Sequence, residues 1–291
     1  MVCRIMNNLK VKIFQRKSFA SMISLMLMLL LMNAQANAAP KAELLSGWDT
    51  TNESSVETID HLPWQHLLDK YLSTDKNTIN RFDYRVVSAD DNKVLNNYLI
   101  QLQSIDPRDY ASNEQKAYWI NLYNALTVQL ILKHYPIETI RDLGRGWFSF
   151  GPWDDKLANV AGQSLTLNDI EHRILRPIWR DDRIHFAVNC ASIGCPDLQP
   201  QVFTARNIEN LLDAAAQQYL SHPRGRSFNT KGQLVLSSLF DWYGDDFGDN
   251  KRERLKRLGD LLGGQQGEKL ATYQGSIKYR YDWRLNDLTT E

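Results

Sequence analysis

Apolar residues are arranged in three ways along this 291-residue chain, and each arrangement predicts a different kind of element. Near the N-terminus they crowd into one stretch from Phe19 to Met32, dense in Leu and Met and interrupted only by Ser21 and Ser24. From about residue 61 they recur mostly at helical spacing, and in a few short stretches they alternate. Residues 39–60 are polar and aperiodic, which predicts a loose leader ahead of a single domain over 61–291. Pro63 stands where a helix starts, and Trp64, Leu67, Leu68, Tyr71 and Leu72 continue it. A second helix is predicted from Asp90 to Leu102. The third is the most apolar: 11 of the 15 residues from Tyr118 to Leu132 are apolar, and Ser112 with Gln115 reads as a capping box ahead of them. A helix that is apolar on nearly all sides is buried on nearly all sides. It nevertheless carries Asn121 and Asn124 on one face, and buried amides need partners. They either form a polar spot or tie loops to the helix.

Further on, Lys156–Val160 and Gln163–Leu165 predict a hairpin turning at Ala161-Gly162, and 227–236 a second one through Lys231-Gly232. Thr166 can cap a helix bearing Glu171, His172 and Arg176, and Thr204 one bearing Leu211, Leu212, Ala215 and Tyr219. Arg183–Asn189 reads as a strand, 251–262 as an amphipathic helix, and 277–283 as a last strand. Helices outnumber the short strands. The expected fold is α+β, a helix-rich single domain with a small, largely antiparallel sheet around a buried central helix.

Charge alters the reading of the N-terminus. Arg4, Lys10, Lys12, Arg16 and Lys17 precede the apolar block with no acid among them, and Ala36-Asn37-Ala38 follows it. A basic, then apolar, then small-residue order is that of a cleaved signal peptide, here 1–38, with Ala34-Gln35-Ala36 as a second cut site. The block of about 14 residues is shorter than the roughly 20 that a spanning helix needs. The expected protein is therefore periplasmic or secreted, with no membrane span after cleavage. Removing the signal leaves 29 basic against 34 acidic residues, a net charge of −5, which gives no electrostatic case for nucleic acid.

Two cysteines remain after cleavage, Cys190 and Cys195. In an oxidising compartment they pair as a disulfide, or at least one is kept for chemistry. Strand alternation through 184–189 puts His185 on the face opposite Cys190, unless the strand ends near Asn189. His172, beside Glu171, is the rival base. Backbone N–H groups of Ser192–Gly194 could then serve as an oxyanion site. No zinc-like ligand spacing appears, and no cofactor is implied. Trp147, in the aromatic 144–153 loop, is a candidate contact surface.

Several of these segments resemble one known family. Glu114, Ala117 and Tyr118–Ala125 resemble its "E..AfWINlYNal" helix. Leu165–Leu167, Ile170–His172 and Leu175-Arg176 are similar to "LsL.dIEh.iLR". Arg183, His185–Ala187, Asn189–Ser192 and Cys195-Pro196 are similar to "R.HFalnCaS.gCP". Trp242-Tyr243, then Tyr281–Trp283 with Leu285-Asn286, resemble its closing blocks. On these motifs, from about residue 80 to 286, the chain resembles the domain of unknown function 547 family, many of whose bacterial members are exported. The resemblance marks Asn121, Asn124, Glu171, His172, Arg176, His185, Cys190, Ser192, Cys195 and Asp282 as motif positions. It implies one converging site without naming a reaction.

Three functions compete. The first is a thiol-dependent hydrolase or acyltransferase of the envelope, with Cys190 as nucleophile, His185 or His172 as base, Glu171 as orienter, and Asn121, Asn124, Arg176, Ser192 and Trp147 as binding residues. Peptide, cell-wall or other small ligands fit it by location alone. The second is a non-catalytic binding or assembly module with a Cys190–Cys195 disulfide. The third is a thiol–disulfide redox protein.

Overall fold

Helix α3 (Ser112–His134) carries the fold, and every residue from Glu114 to Val128 is buried. The computed structural model describes residues 39–144 and 151–290. The expected signal peptide, 1–38, and Trp147 therefore lie outside the described residues. Earlier elements are α1 (Leu62–Tyr71), the ribbon β1 (Leu72–Thr74) with β2 (Asn80–Phe82), and α2 (Ala89–Gln103). After α3 come the hairpin β3 (Lys156–Val160) with β4 (Gln163–Thr166), a π-helical stretch at Asp169–Leu175, and the short α4 (Arg176–Trp179). Then follow α5 (Ile208–Ser221), β5 (Arg226–Phe228), β6 (Leu234–Ser237), α6 (Leu239–Trp242), α7 (Gly244–Phe247), α8 (Lys251–Leu262), α9 (Gly264–Ala271) and β7 (Ile277–Arg280). Helices dominate and the strand pairs are antiparallel, except that β7 joins β6 in parallel. The α+β expectation holds. Among the described residues no helix is long and apolar enough to cross a membrane.

Residues 40–291 form one compact unit with two apolar clusters. Helix α3 fills the larger, where Trp119 meets Tyr118 and Trp48 edge-to-face. The smaller gathers Phe186, Tyr219, Phe240 and Phe247 with α8. The segment 39–60, read as a loose leader, forms no helix or strand but is anchored. It buries Leu45, Trp48 and Ile59, and its Glu43 and Leu45 N–H groups donate to the carbonyls of His172 and Arg173. Its polarity hid three well-spaced apolar anchors.

Two local expectations change. Ala111, not Ser112, precedes α3, and Gln115 donates instead to the Thr50 and Tyr110 carbonyls, so no capping box forms. Arg183–Asn189 is not a strand. Asp181 caps a 3-10 turn over Asp182–Phe186 through the Arg183 N–H. A short apolar run buried on every side suits a strand or a buried turn equally well. Here Ile184 points into the larger cluster and Phe186 into the smaller.

Candidate functional site

The loop after that turn is held from α3. Asn124 donates to the Ala187 carbonyl at 2.9 Å and accepts from the Asn189 N–H at 2.8 Å. Asn189 in turn accepts from the Ala191 N–H at 2.8 Å and donates to the Pro196 carbonyl at 2.7 Å. Ala191 is thereby bent into the left-handed region, with φ of 55°. A non-glycine residue there carries of order 1–2 kcal/mol of strain. The bend brings Ser192 back over Cys190. A second strap comes from the C-terminal segment, where Ile193 and Gly194 N–H groups donate to the Arg284 and Asp282 carbonyls. The approach is so close that a Cβ on Gly194 would sit 2.7 Å from the Asp282 nitrogen, so glycine is required.

At the centre of this loop Cys190 is half-buried and Cys195 is buried. No disulfide joins them; their sulfurs are 2.9 Å apart. The Cys190 N–H donates to Cys195 Sγ at 3.0 Å, and the Cys195 thiol also reaches the Val188 carbonyl at 3.9 Å. Ser192 Oγ at 3.1 Å and the Tyr281 hydroxyl at 3.0 Å complete the ring around Cys190. Ser192 and Tyr281 also meet each other at 3.0 Å. Each hydroxyl carries one proton. Either can point at the sulfur, and a thiolate is the stronger acceptor of the two protonation states. Burial opposes the Cys190 thiolate, but donation from Cys195, Ser192 and Tyr281 outweighs it and lowers the Cys190 pKa. Burial and the neighbouring Cys190 push Cys195 well above its usual range, so it remains a thiol. Burial likewise keeps Tyr281 protonated.

A second polar cluster lies under Tyr243. Arg176 forks onto Asp246 at 2.6 and 2.8 Å and donates to the Pro40 carbonyl at 2.6 Å. His185 Nε2 meets Asp246 at 2.7 Å, while its Nδ1 is 3.6 Å from Glu171, an ion contact too long for a hydrogen bond. The Tyr243 ring covers His185 at 4.0 Å, and the Tyr123 hydroxyl donates to Glu171 at 3.2 Å. Burial disfavours a charged His185, but Asp246 and Glu171 outweigh it and raise its pKa. Burial works against the Glu171 carboxylate too, yet His172, His185 and Arg176 bring its pKa down to about 2. Burial lowers the pKa of His172, whose Nδ1 accepts from Arg176 at 3.2 Å and so carries no proton.

The candidate residues thus fall into two groups. Cys190, Ser192 and Cys195 come together; Glu171, His172, Arg176 and His185 come together elsewhere. Neither histidine hydrogen-bonds a cysteine sulfur, and among the described residues the Cys190 side chain meets only Cys195, Ser192 and Tyr281. The expected His–Cys pairing does not form, because Asp246, Glu171 and Arg176 hold both imidazoles. The expected oxyanion site loses its Ile193 and Gly194 donors to carbonyls. Asn124 clamps the backbone before Cys190, and Asn121 clamps Phe203 through its N–H and carbonyl at 3.1 and 2.7 Å. Both amides are buried. Asp282 holds Arg284. Sequence reasoning missed Tyr281, Asp246 and Tyr243 as partners. Tyr281 and Tyr243 stood inside motif blocks, whereas nothing local marks Asp246. No group of histidine, cysteine and acidic residues able to hold a metal occurs among the described residues.

One family model matches this chain, that of "Protein of unknown function, DUF547", over residues 107–220. The match takes in α3, the π-helical stretch and the cysteine loop, and stops short of Asp246 and Tyr281. The comparisons with curated proteins and with solved structures each found no match.

Proposed function

We propose that the loop carries a dithiol centre that exchanges with disulfides, Cys190 attacking and Cys195 resolving. One observation carries this reading: the sulfur of the half-buried Cys190 lies within hydrogen-bond reach of the Ser192 and Tyr281 hydroxyls, with a second thiol 2.9 Å away. A thiolate is the nucleophile in such exchange, and neutral donors favour it without a base. The thiolate attacks one sulfur of a substrate disulfide, forms a mixed disulfide with it and expels the other half as a thiolate. Cys195 then gives its proton to that leaving thiolate or to water and attacks Cys190 Sγ. This closes a Cys190–Cys195 disulfide and releases the second half of the substrate as a thiolate. The substrate is reduced by two electrons and the protein oxidised by two; a thiol reductant restores the dithiol. The sulfurs need approach by only about 0.9 Å to reach bonding distance.

Hydrolysis or acyl transfer would use the same thiolate, but it also needs a proton donor for the leaving group and N–H groups for the oxyanion. Here the imidazoles are engaged by acids and arginine, and two of the three loop N–H groups by carbonyls. The N-terminal pattern supports an envelope location, where disulfide substrates occur. The reading is tested by treating the reduced protein with oxidised glutathione, trapping with acid and measuring intact mass. The wild type should lose two hydrogens, Cys195→Ser should stall as a glutathione adduct on Cys190, and Cys190→Ser should be inert. A wild type unchanged by the oxidant, or a Cys190→Ser variant that reacts as fast, would overturn it.

A further inference from the structure

Tyr281 belongs to two places at once. Its hydroxyl meets Cys190 Sγ, and the residue also lines a cavity of about 620 Å³. Ile193 and Gly194 of the cysteine loop line the same cavity, with Trp283, Arg224, Arg280 and Arg284 among the rest. Two of the three arginines are matched. Arg284 holds Asp282 at 2.7 Å, and Arg224 holds the buried Asp197 at 2.7 Å. Arg280 differs: its Nη2 donates to the Pro223 carbonyl at 2.7 Å and to Ser227 Oγ at 3.3 Å, both neutral. It forms no ion pair among the described residues, so the tethered guanidinium keeps its charge uncompensated at the cavity. A guanidinium fixed by two bonds is already oriented to accept a carboxylate, which lowers the ordering cost of binding. The remaining acid on the lining, Glu138, suits an ammonium group.

We propose that this cavity binds the carboxylate of an amino-acid or peptide disulfide at Arg280 and so presents its sulfurs to Cys190 past Tyr281. The assignment rests on the dithiol reading for its chemistry, while its binding step can be measured without that chemistry. S-methylglutathione carries the carboxylates but cannot exchange. Calorimetric titration into the reduced protein should give saturable, salt-sensitive binding that weakens about tenfold in Arg280→Gln, the size expected for one charge-assisted contact. Arg280→Lys, which keeps the charge, should recover part of it and guards against a mere folding defect. With disulfides, the rate ratio of oxidised glutathione to neutral hydroxyethyl disulfide should be well above one, and should fall about tenfold in Arg280→Gln. No saturable binding, or a ratio unmoved by Arg280→Gln, would overturn the cavity assignment. Binding that depends on Arg280 in a protein that exchanges with neither disulfide would leave the cavity assignment standing and remove the dithiol reading.

Discussion

Cys190 and His185 are five residues apart, and their surroundings follow opposite rules. Around His185 the partners are charged: Asp246 lies between Arg176 and His185, and Glu171 faces His185 and His172. The groups are packed under Tyr243, and each charge has an opposite charge nearby. Around Cys190 the partners are neutral, two hydroxyls and a thiol, and the residue is half-buried. A cross-paired ionic cluster tolerates no missing member, because the remaining charges stay buried without partners. A ring of neutral donors stabilises one added negative charge and tolerates the loss of a single member. The ionic cluster therefore governs stability, and the donor ring governs reactivity.

The largest effect should come from the ionic side. Asp246→Ala strands both Arg176 and His185 and should cost about 3–5 kcal/mol of unfolding free energy. In a chain of this size that lowers Tm by roughly 2–4 °C per kcal/mol. Urea unfolding checks it; a loss under about 1 kcal/mol would mean the cluster is not the keystone described. In the folded variant, alkylation of Cys190 should proceed at close to the wild-type rate.

Asn124→Ala should sharpen the comparison by touching both regions, since it removes the partners of the Ala187 carbonyl and the Asn189 N–H. Each stranded group costs about 1–3 kcal/mol. Alkylation of Cys190 should also change, because the loop that seats it is freed. A stability loss with unchanged thiol reactivity would show that Asn124 does not position Cys190.

Tyr281→Phe should do the reverse. Removing one donor should raise the Cys190 pKa by about one unit, the equivalent of one hydrogen bond to a charged group. Stability should move by less than about 1 kcal/mol, since the ring is retained. A pH profile of iodoacetamide alkylation reads the shift, and a profile superimposable on the wild type would exclude Tyr281 from the donor ring.

The smallest effect concerns pH. His185 is raised by Asp246 and Glu171, so its stabilisation is full below the unfolded value of about 6.5 and is lost as pH rises through its folded pKa. The stability difference between wild type and His185→Gln should therefore be larger near pH 5.5 than near pH 9. The whole protein moves the other way on the acid side. His61, brought down to about 4 by burial, and His172 are held neutral in the fold, and Glu171 is held ionised. Stability should fall from about pH 6.5 toward pH 2 as the unfolded chain takes up those protons. A His185→Gln difference that grows with pH would contradict the charged-histidine assignment.

The longer helices, both hairpins and the buried axis are legible because their periodicity is local: 251–262 matches to the residue, and the Ala161-Gly162 turn has the positive φ angles that such a pair adopts, whereas α7 and α9 carry too short a pattern to show. The cysteine loop was not legible in the same way. Ile184–Val188 is buried whether strand or turn, and Asp181, whose side chain caps the turn, lies outside the run. The sequence pairs Cys190 with a histidine or, as a disulfide, with Cys195, and the structure places Ser192 and Cys195 within hydrogen-bond reach of Cys190 without either pairing. Their decisive partner Tyr281 lies 91 residues further along the chain, and Asp246 lies 61 from His185. Such contacts follow from how β7 and the C-terminal strap fold back, which no spacing rule within the loop encodes. The same holds for the bound histidines: only the fold reveals that both are committed to carboxylates and arginine.

The central claim is that Cys190 is the thiolate of the pair and Cys195 its proton donor. The direct measurement is the pH dependence of iodoacetamide alkylation on the reduced protein, with the site of modification read by peptide mass. Cys190 should alkylate first, with an apparent pKa below the free value of about 8.5, and Cys195 should remain unmodified until Cys190 has reacted. An apparent pKa at or above that free value, or first modification at Cys195, would contradict the account.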